Sequence, residues 1–458
     1  MDIAGGSAQT TSRDFTSWPM PHILTQHPIL LALAAVNDIP FPVDTAFLQP
    51  TGDNLSIPAV DVALLSAFVQ LPDIGIDGTL RIFRGQTSRD QRPNKDLRPE
   101  LYRLHLASYP DLDRLCNIAA DRVIPHWTSS SLRVGRNRRG FNDYYKGRCI
   151  LATMAALSSD PSFHSSAFAL VPKQDKPISE DGRTIHDLSA PVGFSVNDIT
   201  DASFTPDARW DPYVSISSRV LELRRRYPGY AIYALGADIA EAFLHIPVHS
   251  RHASAFGGTI PRSQVGIVSG IAVFGWTASP RYFTVAGKAA RHYQRTCASY
   301  VLGFPEPFWI FQWVDDIVII ESAVSRDAIN LVFGSEGWHE GKFRAWSQCF
   351  HAVGIDWNFP ESNITIPQRK IAKTKRVQRL DSLVGVLRHI VTFIPIAKPF
   401  MQRLIAFQLA TKTSGRTGTP MTESLQLDLK WWDQLIFQNE FAGVPMTLFD
   451  RELPEVDG

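Results

Sequence analysis

Two adjacent aspartates interrupt an apolar stretch in the second half of the chain. The stretch FWIFQWVDDIVIIES runs from residue 308 to 322, and Asp315 and Asp316 are its first charged residues. Aspartate favours turns and its neighbours here favour strands, so the stretch predicts two strands joined by a tight turn. Like charges at a sheet edge repel each other unless a cation lies between them. Two interpretations stay open: a plain hairpin turn, and a turn that presents carboxylates to a divalent metal.

Composition narrows the class of protein. With 458 residues the chain should form two or three subdomains, and its 44% hydrophobic and 20% charged residues are typical of a folded protein. The net charge is only +1, so affinity for nucleic acid would need local basic patches. The four cysteines have no paired spacing, which argues against a zinc site and predicts an intracellular protein. No secretory signal or membrane-spanning run is present in the sequence, so we expect no membrane partner.

A third carboxylate is needed, because two seldom complete an octahedral site for a cation. The segment YAIYALGADIAEAFLHIPVH, residues 230–249, is an apolar run that ends in Asp238 and then changes period, as a strand does before a helical turn. Asp238 is therefore expected to face the Asp-Asp turn of a neighbouring strand. Three such carboxylates can hold two metal ions for phosphoryl transfer, one activating a hydroxyl and one stabilising the leaving pyrophosphate.

The other patterns along the chain predict an α+β fold. Short apolar runs after residue 160 predict strands, whereas Ser279 and Pro280 begin a helical pattern. The two kinds of element mix without regular alternation, unlike a doubly wound parallel sheet. A basic run, RKIAKTKRVQR at 369–379, precedes further helical segments, in which Trp432 falls on one apolar face and is interpreted as packing.

Four ordered motifs resemble those of reverse transcriptases from retroelements. GADIAEAFLHIPVH resembles their first catalytic motif, FGWTASPRYF at 274–283 the second, and WVDDIVII at 313–320 the third. Upstream, FALVPKQDKPISEDGRTIHDLSAPVGFSVNDI at 168–199 resembles their fingers. Its residue pattern is most similar to the DIRS-like branch, within a resemblance to DIRS-like or gypsy-like LTR-type elements. The resemblance covers roughly residues 165–440.

The resemblance implies a right-hand polymerase fold of fingers, palm and thumb, with an antiparallel palm sheet flanked by helices. The domain borders that it implies are an N-terminal extension of unknown role at 1–140, fingers at 141–229 with 248–270 interleaved, palm at 230–365, thumb at 366–412 and the start of a connection region at 413–458.

Residue roles follow from the same resemblance. Asp238, Asp315 and Asp316 would be catalytic, and Asp238, Asp315 and the carbonyl of Ile239 would bind two Mg²⁺ or Mn²⁺ ions. The residues implied to bind the incoming dNTP are Lys173, Arg183, Glu241, Phe243, Phe274 and Gly275, with Phe243 as a steric gate against ribonucleotides. Lys342 is a candidate general acid. The residues implied to contact the backbone of an RNA or DNA template with its primer are Arg369, Lys370, Lys373, Lys375 and Arg376. The oligomeric state stays open.

Two departures from the family pattern keep other functions open. Trp313 stands where tyrosine is usual, and HAVGIDWNF at 351–359 keeps only Gly354 of the usual primer-grip turn. One hypothesis is therefore an active RNA-directed DNA polymerase, and a second is an inactive or domesticated nucleic-acid-binding protein. A third, an RNA polymerase templated by RNA, is disfavoured because the bulk of Phe243 would hinder ribonucleotides.

Overall fold

The computed structural model describes residues 32, 35–37, 47–48, 57–120, 123–128, 142–172, 182–260, 263–297, 309–320, 327–334, 337, 345–375, 380–394, 397–414, 421–437 and 443–450. Its strands are β1 Phe47–Leu48, β2 Ile57–Pro58, β3 Cys149–Thr153, β4 Ser165–Pro172, β5 Gly182–Asp187, β6 Ala234–Asp238, β7 Gly257–Thr259, β8 Val265–Ser269, β9 Trp309–Trp313, β10 Asp316–Ile320, β11 Cys349–Ala352, β12 Ile355–Asn358, β13 Asn363–Thr365 and β14 Val444–Pro445.

The helices lie between these strands without regular alternation, which confirms the predicted α+β class. They are α1 Ala59–Gln70, α2 Gly75–Phe83, α3 Pro99–His105, α4 Leu112–Ala119, α5 Asn142–Tyr145, α6 Met154–Ser158, α7 Val196–Ile199, α8 Tyr213–Arg226, α9 Ser250–Ala253, α10 Ser279–Cys297, α11 Asp327–Phe333, α12 Gln368–Lys375, α13 Leu380–Phe393, α14 Lys398–Ser414 and α15 Glu423–Phe437. In the described part of the chain, no helix is both long and apolar enough to cross a bilayer.

The chain divides into two compact units, and the first unit draws on residues 1–93, 121–204 and 247–277. Its five-stranded sheet has the order β3-β8-β7-β4-β5 and is antiparallel except for the parallel pair β4 and β7. Phe68 of α1 and Leu80 of α2 share one buried apolar cluster with Ile150 and Val268 of the sheet. Helices from the first 93 residues therefore form part of the core of this unit.

The second unit draws on residues 94–120, 205–246 and 278–458. It contains a three-stranded antiparallel sheet, β6-β10-β9, and a four-stranded antiparallel sheet, β11-β12-β13-β14. Residues 94–120 are bonded into it, because the hydroxyls of Tyr102 and Tyr109 donate to the carbonyls of Val332 and Val285, each at 2.8 Å. The domain borders implied by the family resemblance stay a prediction.

Trp432 on α15 packs as the sequence predicts. It is 3% exposed and lies in the main apolar cluster of the second unit together with Leu425 and Ile436, while Leu429 is partly buried against that cluster. Its neighbour Trp431 stacks on Phe400 of α14, with 3.9 Å between the ring centroids. Both tryptophans therefore stabilise the pairing of α14 with α15.

His186 is a buried histidine in the sheet of the first unit. It is 3% exposed, its ring stacks on Phe168 at 4.4 Å, and its Nε2 donates to the Gly257 carbonyl at 2.9 Å. Burial lowers the pKa of His186 to about 4, and it also lowers the pKa of the nearby His164. Both rings are therefore neutral in the folded protein at neutral pH.

We predict that acid destabilises the protein through His186. Below the unfolded pKa of 6.5 the unfolded chain takes up a proton that the folded ring does not accept until about pH 4. The contribution of the neutral His186 ring to the free energy of unfolding is therefore present above pH 6.5, and the free energy of unfolding falls by roughly 2 kcal/mol between pH 7 and pH 5. Urea unfolding at both pH values should show this loss for the wild type and a smaller loss for His186→Gln. An equal loss in both proteins would contradict the prediction.

Candidate active site

The aspartate pair lies on a tight hairpin between β9 and β10. Trp313 and Asp316 are paired across the ladder, so the loop consists of only Val314 and Asp315. The first loop residue of such a turn needs a positive φ, which glycine normally supplies, and Val314 has a φ of 56°. A β-branched residue in this conformation stores about 1–3 kcal/mol of strain, which must be offset by surrounding contacts.

Asp238, at the end of β6, faces this hairpin. It pairs directly with Asp316 in the antiparallel ladder, and the N–H of Ile239 donates to the carbonyl of Asp315 at 3.0 Å. Directly paired residues point to the same face of a sheet, with Cβ atoms about 4.5–5.5 Å apart. Asp238, Asp316 and Trp313 therefore form a row across one face of the sheet. The predicted adjacency of Asp238 and the Asp-Asp turn is confirmed, whereas the catalytic roles stay predictions.

Exposure to solvent increases along the row. Asp238 is only 6% exposed, Asp316 is half-buried, and Trp313 is 40% exposed; Asp315, in the adjoining turn, is also half-buried. The indole ring of Trp313 is thus accessible to a large partner, whereas Asp238 is buried.

Backbone strain is concentrated at this site. Among the described residues, five non-glycine residues have a positive φ, and three of them are Glu241, Ala242 and Val314. Glu241 and Ala242 follow Asp238 at φ values of 57° and 23°; Glu241 precedes a short 3-10 turn over Ala242–His245, and Ala242 begins it. Strain of this kind persists where the surrounding structure over-determines the backbone, and it clusters at active sites and ligand clamps.

Gln312 is hydrogen-bonded to the turn that carries Asp315. Gln312 is only 2% exposed, and its side-chain Nε2 donates to the carbonyl of Val314 at 2.7 Å. Its backbone N–H donates to the carboxylate of Asp211 at 3.1 Å, and the same carboxylate accepts from Arg291 of α10. Neither Gln312 nor Asp211 was expected to matter from the sequence. Gln312 carries the only signal that could have been used, as a single uncharged polar residue in a buried apolar strand.

The oxygen atoms of the three aspartates are donors that suit a hard divalent cation. Mg²⁺ and Ca²⁺ prefer carboxylate and carbonyl oxygens, and the site offers three aspartates and the backbone around Ile239. Within the described residues, no three acidic, histidine or cysteine side chains converge closely enough to form a complete metal site as they stand. The site therefore fits a cation by donor type and by backbone register.

Phe243 lies five residues after Asp238 and is 8% exposed. Its ring meets Phe283 of α10 edge to face at 5.5 Å, so part of its bulk supports the helix. Glu241 lies between Asp238 and Phe243 in the sequence and is half-buried. Asp238 therefore ends the strand, and Glu241 and Phe243 lie on the turn that follows it.

Phe274 and Gly275 belong to the first unit. Phe274 is 40% exposed, and its carbonyl accepts from the His186 N–H at 3.2 Å. Gly275 has a φ of 116°, and a Cβ there would lie 1.9 Å from the carbonyl oxygen of His186. Only glycine fits, because this backbone crosses close to the β5 strand. Lys173, Lys342 and the side chain of Arg183 lie outside the described residues.

The basic run begins on α12, beside the hairpin between β11 and β12. Arg369 donates to Nε2 of His351 at 2.6 Å, and the Lys370 ammonium donates to the Gly354 carbonyl at 2.6 Å. Arg369 is exposed and Lys370 half-buried. Arg376 and the side chains of Lys373 and Lys375 lie outside the described residues. The role of the run in contacting nucleic acid stays a prediction.

Comparison with known proteins yields similarities of fold. No family model matches the chain, and no curated protein matches it. A solved structure of foamy viral protease-reverse transcriptase dRH with double-stranded DNA is 14% identical, with a TM-score of 0.42 over 68% of this chain and 53% of that one. The foamy viral protease-reverse transcriptase with an RNA/DNA hybrid is 14% identical, with a TM-score of 0.40 over 79% and 45%.

A third structure, of the foamy viral protease-reverse transcriptase with double-stranded DNA, is 12% identical, with a TM-score of 0.38 over 72% of this chain and 70% of that one. The chain spans about half the length of the first two matched chains. These are weak similarities to viral reverse transcriptases, and the function proposed below rests on the aspartate site instead.

We predict that Gly287→Ala loosens the hairpin. A Cβ at Gly287 of α10 would lie 2.3 Å from Oε1 and 2.5 Å from Nε2 of Gln312, so the amide must move away from the Val314 carbonyl. Loss of this buried hydrogen bond should cost about 1–3 kcal/mol in the free energy of unfolding, measured by chemical denaturation.

Gly385→Ala is the matched control, because Gly385 lies within helix α13 and a Cβ there meets nothing within 4 Å. It should be neutral or stabilising by up to about 1 kcal/mol, since alanine is the better helix former. Equal stability of the two variants would refute the support role of Gln312.

Proposed function

We propose that this chain is an RNA-directed DNA polymerase of a retroelement, which extends a primer with dNTPs along an RNA or DNA template. The observation that carries the proposal is the ladder register, which sets Asp238 opposite Asp316 and bonds Ile239 to Asp315. The order of the sequence motifs around these aspartates supports the same reaction, and the residue pattern of the 168–199 segment supports the DIRS-like branch of retroelements.

The chain would use two Mg²⁺ or Mn²⁺ ions, held by Asp238, Asp315 and the carbonyl of Ile239. When bound, such ions activate the primer 3′-hydroxyl and offset the charge of the leaving pyrophosphate. The part of the protein is positioning. The antiparallel ladder fixes the spacing of Asp238 and Asp316, and the amide of Gln312 fixes the turn that carries Asp315.

Nucleotide selection would fall to the turn after Asp238 and to the segments implied by the motifs. Phe243, buried beside Phe283, would exclude a ribose 2′-hydroxyl by bulk. Lys173 and Arg183 would bind the triphosphate of the dNTP, with a point charge and a planar fork that suit phosphate oxygens.

Lys342 would protonate the leaving group. Trp313, at the exposed end of the aspartate row, would pack beneath the primer terminus.

The first test of this function is primer extension on an RNA template with dNTPs and Mg²⁺ or Mn²⁺. We expect Asp238→Asn and Asp315→Asn each to lower the rate by about a thousandfold, because several kcal/mol of charge stabilisation are lost. Asp207→Asn is the control, since Asp207 is 69% exposed and its carboxylate pairs with Arg209 at the surface. It should keep the full rate.

Absence of extension by the wild type, with salt-sensitive binding of a template-primer retained, would overturn the polymerase proposal. The protein would then be a nucleic-acid-binding protein without turnover. Binding through phosphate contacts weakens steeply with salt, so a salt titration of the affinity identifies this outcome.

We further predict that Phe243→Ala admits ribonucleotides. Removal of the ring should raise the ratio of rNTP to dNTP incorporation by at least about tenfold, which is the discrimination that a small steric difference supplies. The ratio is measured within each variant, so the packing lost against Phe283 does not enter it. Phe243→Tyr keeps the bulk and should keep the wild-type ratio. An unchanged ratio in Phe243→Ala would show that another group excludes ribonucleotides.

A further inference from the structure

The strained turn after Asp238 is held by hydrogen bonds to Ala240, the residue that precedes its two positive-φ residues. The orientation of the peptide unit between Ala240 and Glu241 constrains the φ of Glu241, because the Ala240 carbonyl carbon is one of the four atoms that define that angle. The Ala240 N–H donates to the Gly337 carbonyl at 3.0 Å. The Ala240 carbonyl accepts from Nε2 of His245 at 2.8 Å. Both polar groups of Ala240 are thus fixed.

His245 is itself held in place on two sides. It is 3% exposed, and its ring lies 5.5 Å from the ring of Phe333 on α11. Its own carbonyl accepts from Nδ2 of Asn94 at 3.2 Å. Because the Ala240 carbonyl can only accept, Nε2 of His245 must carry a proton. The ring is therefore a fixed donor aimed at the turn, buried where replacement of the hydrogen bond by water is unfavourable.

We infer that His245 is a positioning residue for nucleotide binding: it clamps the Ala240 peptide and thereby holds Glu241 and Ala242 in the left-handed backbone beside Asp238. This inference rests on the polymerase function proposed above. Without the clamp, Glu241 should relax toward negative φ, which non-glycine residues prefer. The relaxation would shift the backbone between Asp238 and Phe243, the stretch proposed to receive the dNTP, and leave the template-primer site unchanged.

The test compares His245→Leu, which keeps apolar contact with Phe333 but has no donor, with His245→Gln, which keeps an N–H donor. We expect His245→Leu to raise the KM for dNTP about tenfold or more, with the Kd for template-primer unchanged. His245→Gln should restore at least part of the loss. A loss of folded protein would lower the apparent kcat and leave KM alone, so the KM separates positioning from simple destabilisation. His292→Leu, a histidine on α10 bonded to Ser108, is the control and should change neither constant.

A second readout does not depend on activity. The amides of Leu244 and Ile246 donate within this turn, to Glu241 and Phe243, so their hydrogen exchange reports whether the turn is held. Exchange in residues 239–246 should accelerate at least about tenfold in His245→Leu and stay near the wild-type rate in His245→Gln. If His245→Leu fails to fold, His245→Ala replaces it, since the smaller side chain cannot overpack.

The two proposals fail separately. A wild type that extends no primer would overturn the polymerase function, and the exchange rates would still decide whether His245 holds the turn. Unchanged exchange and an unchanged KM in His245→Leu would overturn the inference, whether or not the polymerase function stands.

Discussion

The ladder between β6 and β10 ends in one unfavourable pairing, that of Asp238 with Asp316. Like charges directly opposite each other weaken an antiparallel ladder, and the burial of Asp238 adds a desolvation cost. The next pairs on the same face are Gly236 with Val318 and Ala234 with Ile320, and Ala234, Val318 and Ile320 belong to the apolar core of the unit. The unfavourable pair is thus confined to the last rung of the ladder, where the strands open, and the apolar rungs behind it hold the register.

The strand that leads into the aspartate turn is fixed along its length. At its far end, the guanidinium carbons of Arg219 and Arg295 lie 5.0 Å and 4.7 Å from the centroid of the Trp309 ring. Near the turn, Gln312 is bonded on its backbone to Asp211 and through its side chain to Val314. Contacts of this kind offset the strain of Val314, and they hold the backbone of the turn that carries Asp315.

The sequence was sufficient for the features that depend on local patterns. The apolar runs at 230–239 and 308–320 contain β6, β9 and β10, and the Asp-Asp step predicted the turn that joins the last two. The contribution of residues 94–120 to the second unit could not be read, because Tyr102 and Tyr109 act through hydrogen bonds to carbonyls some 180 to 230 residues away. Patterns of period 2 or 3.6 report which face of an element is buried and not which distant backbone group it meets.

The support of the site by Gln312 and His245 was missed for the same reason. Each acts on a backbone carbonyl within five residues, yet each needs a partner from a distant segment, Gly287 for Gln312 and Phe333 for His245. A lone polar residue in an apolar run shows that something is bonded there, without showing what. The predicted aspartates stood out because carboxylates have few structural uses inside a sheet, whereas a buried glutamine or histidine has many.

The basic run illustrates the limit of reading charge as a binding surface. Its first two cations are tied to the hairpin between β11 and β12: Arg369 donates to His351, whose Nδ1 lies 2.7 Å from the carboxylate of Asp356, and Lys370 donates to Gly354. Since Nε2 of His351 accepts from Arg369, the ring proton lies on Nδ1 and is donated to Asp356. These side chains therefore stabilise a turn in the isolated protein. Because their rotamers are already fixed, a phosphate contact made by them would cost less side-chain entropy than one made by mobile lysines.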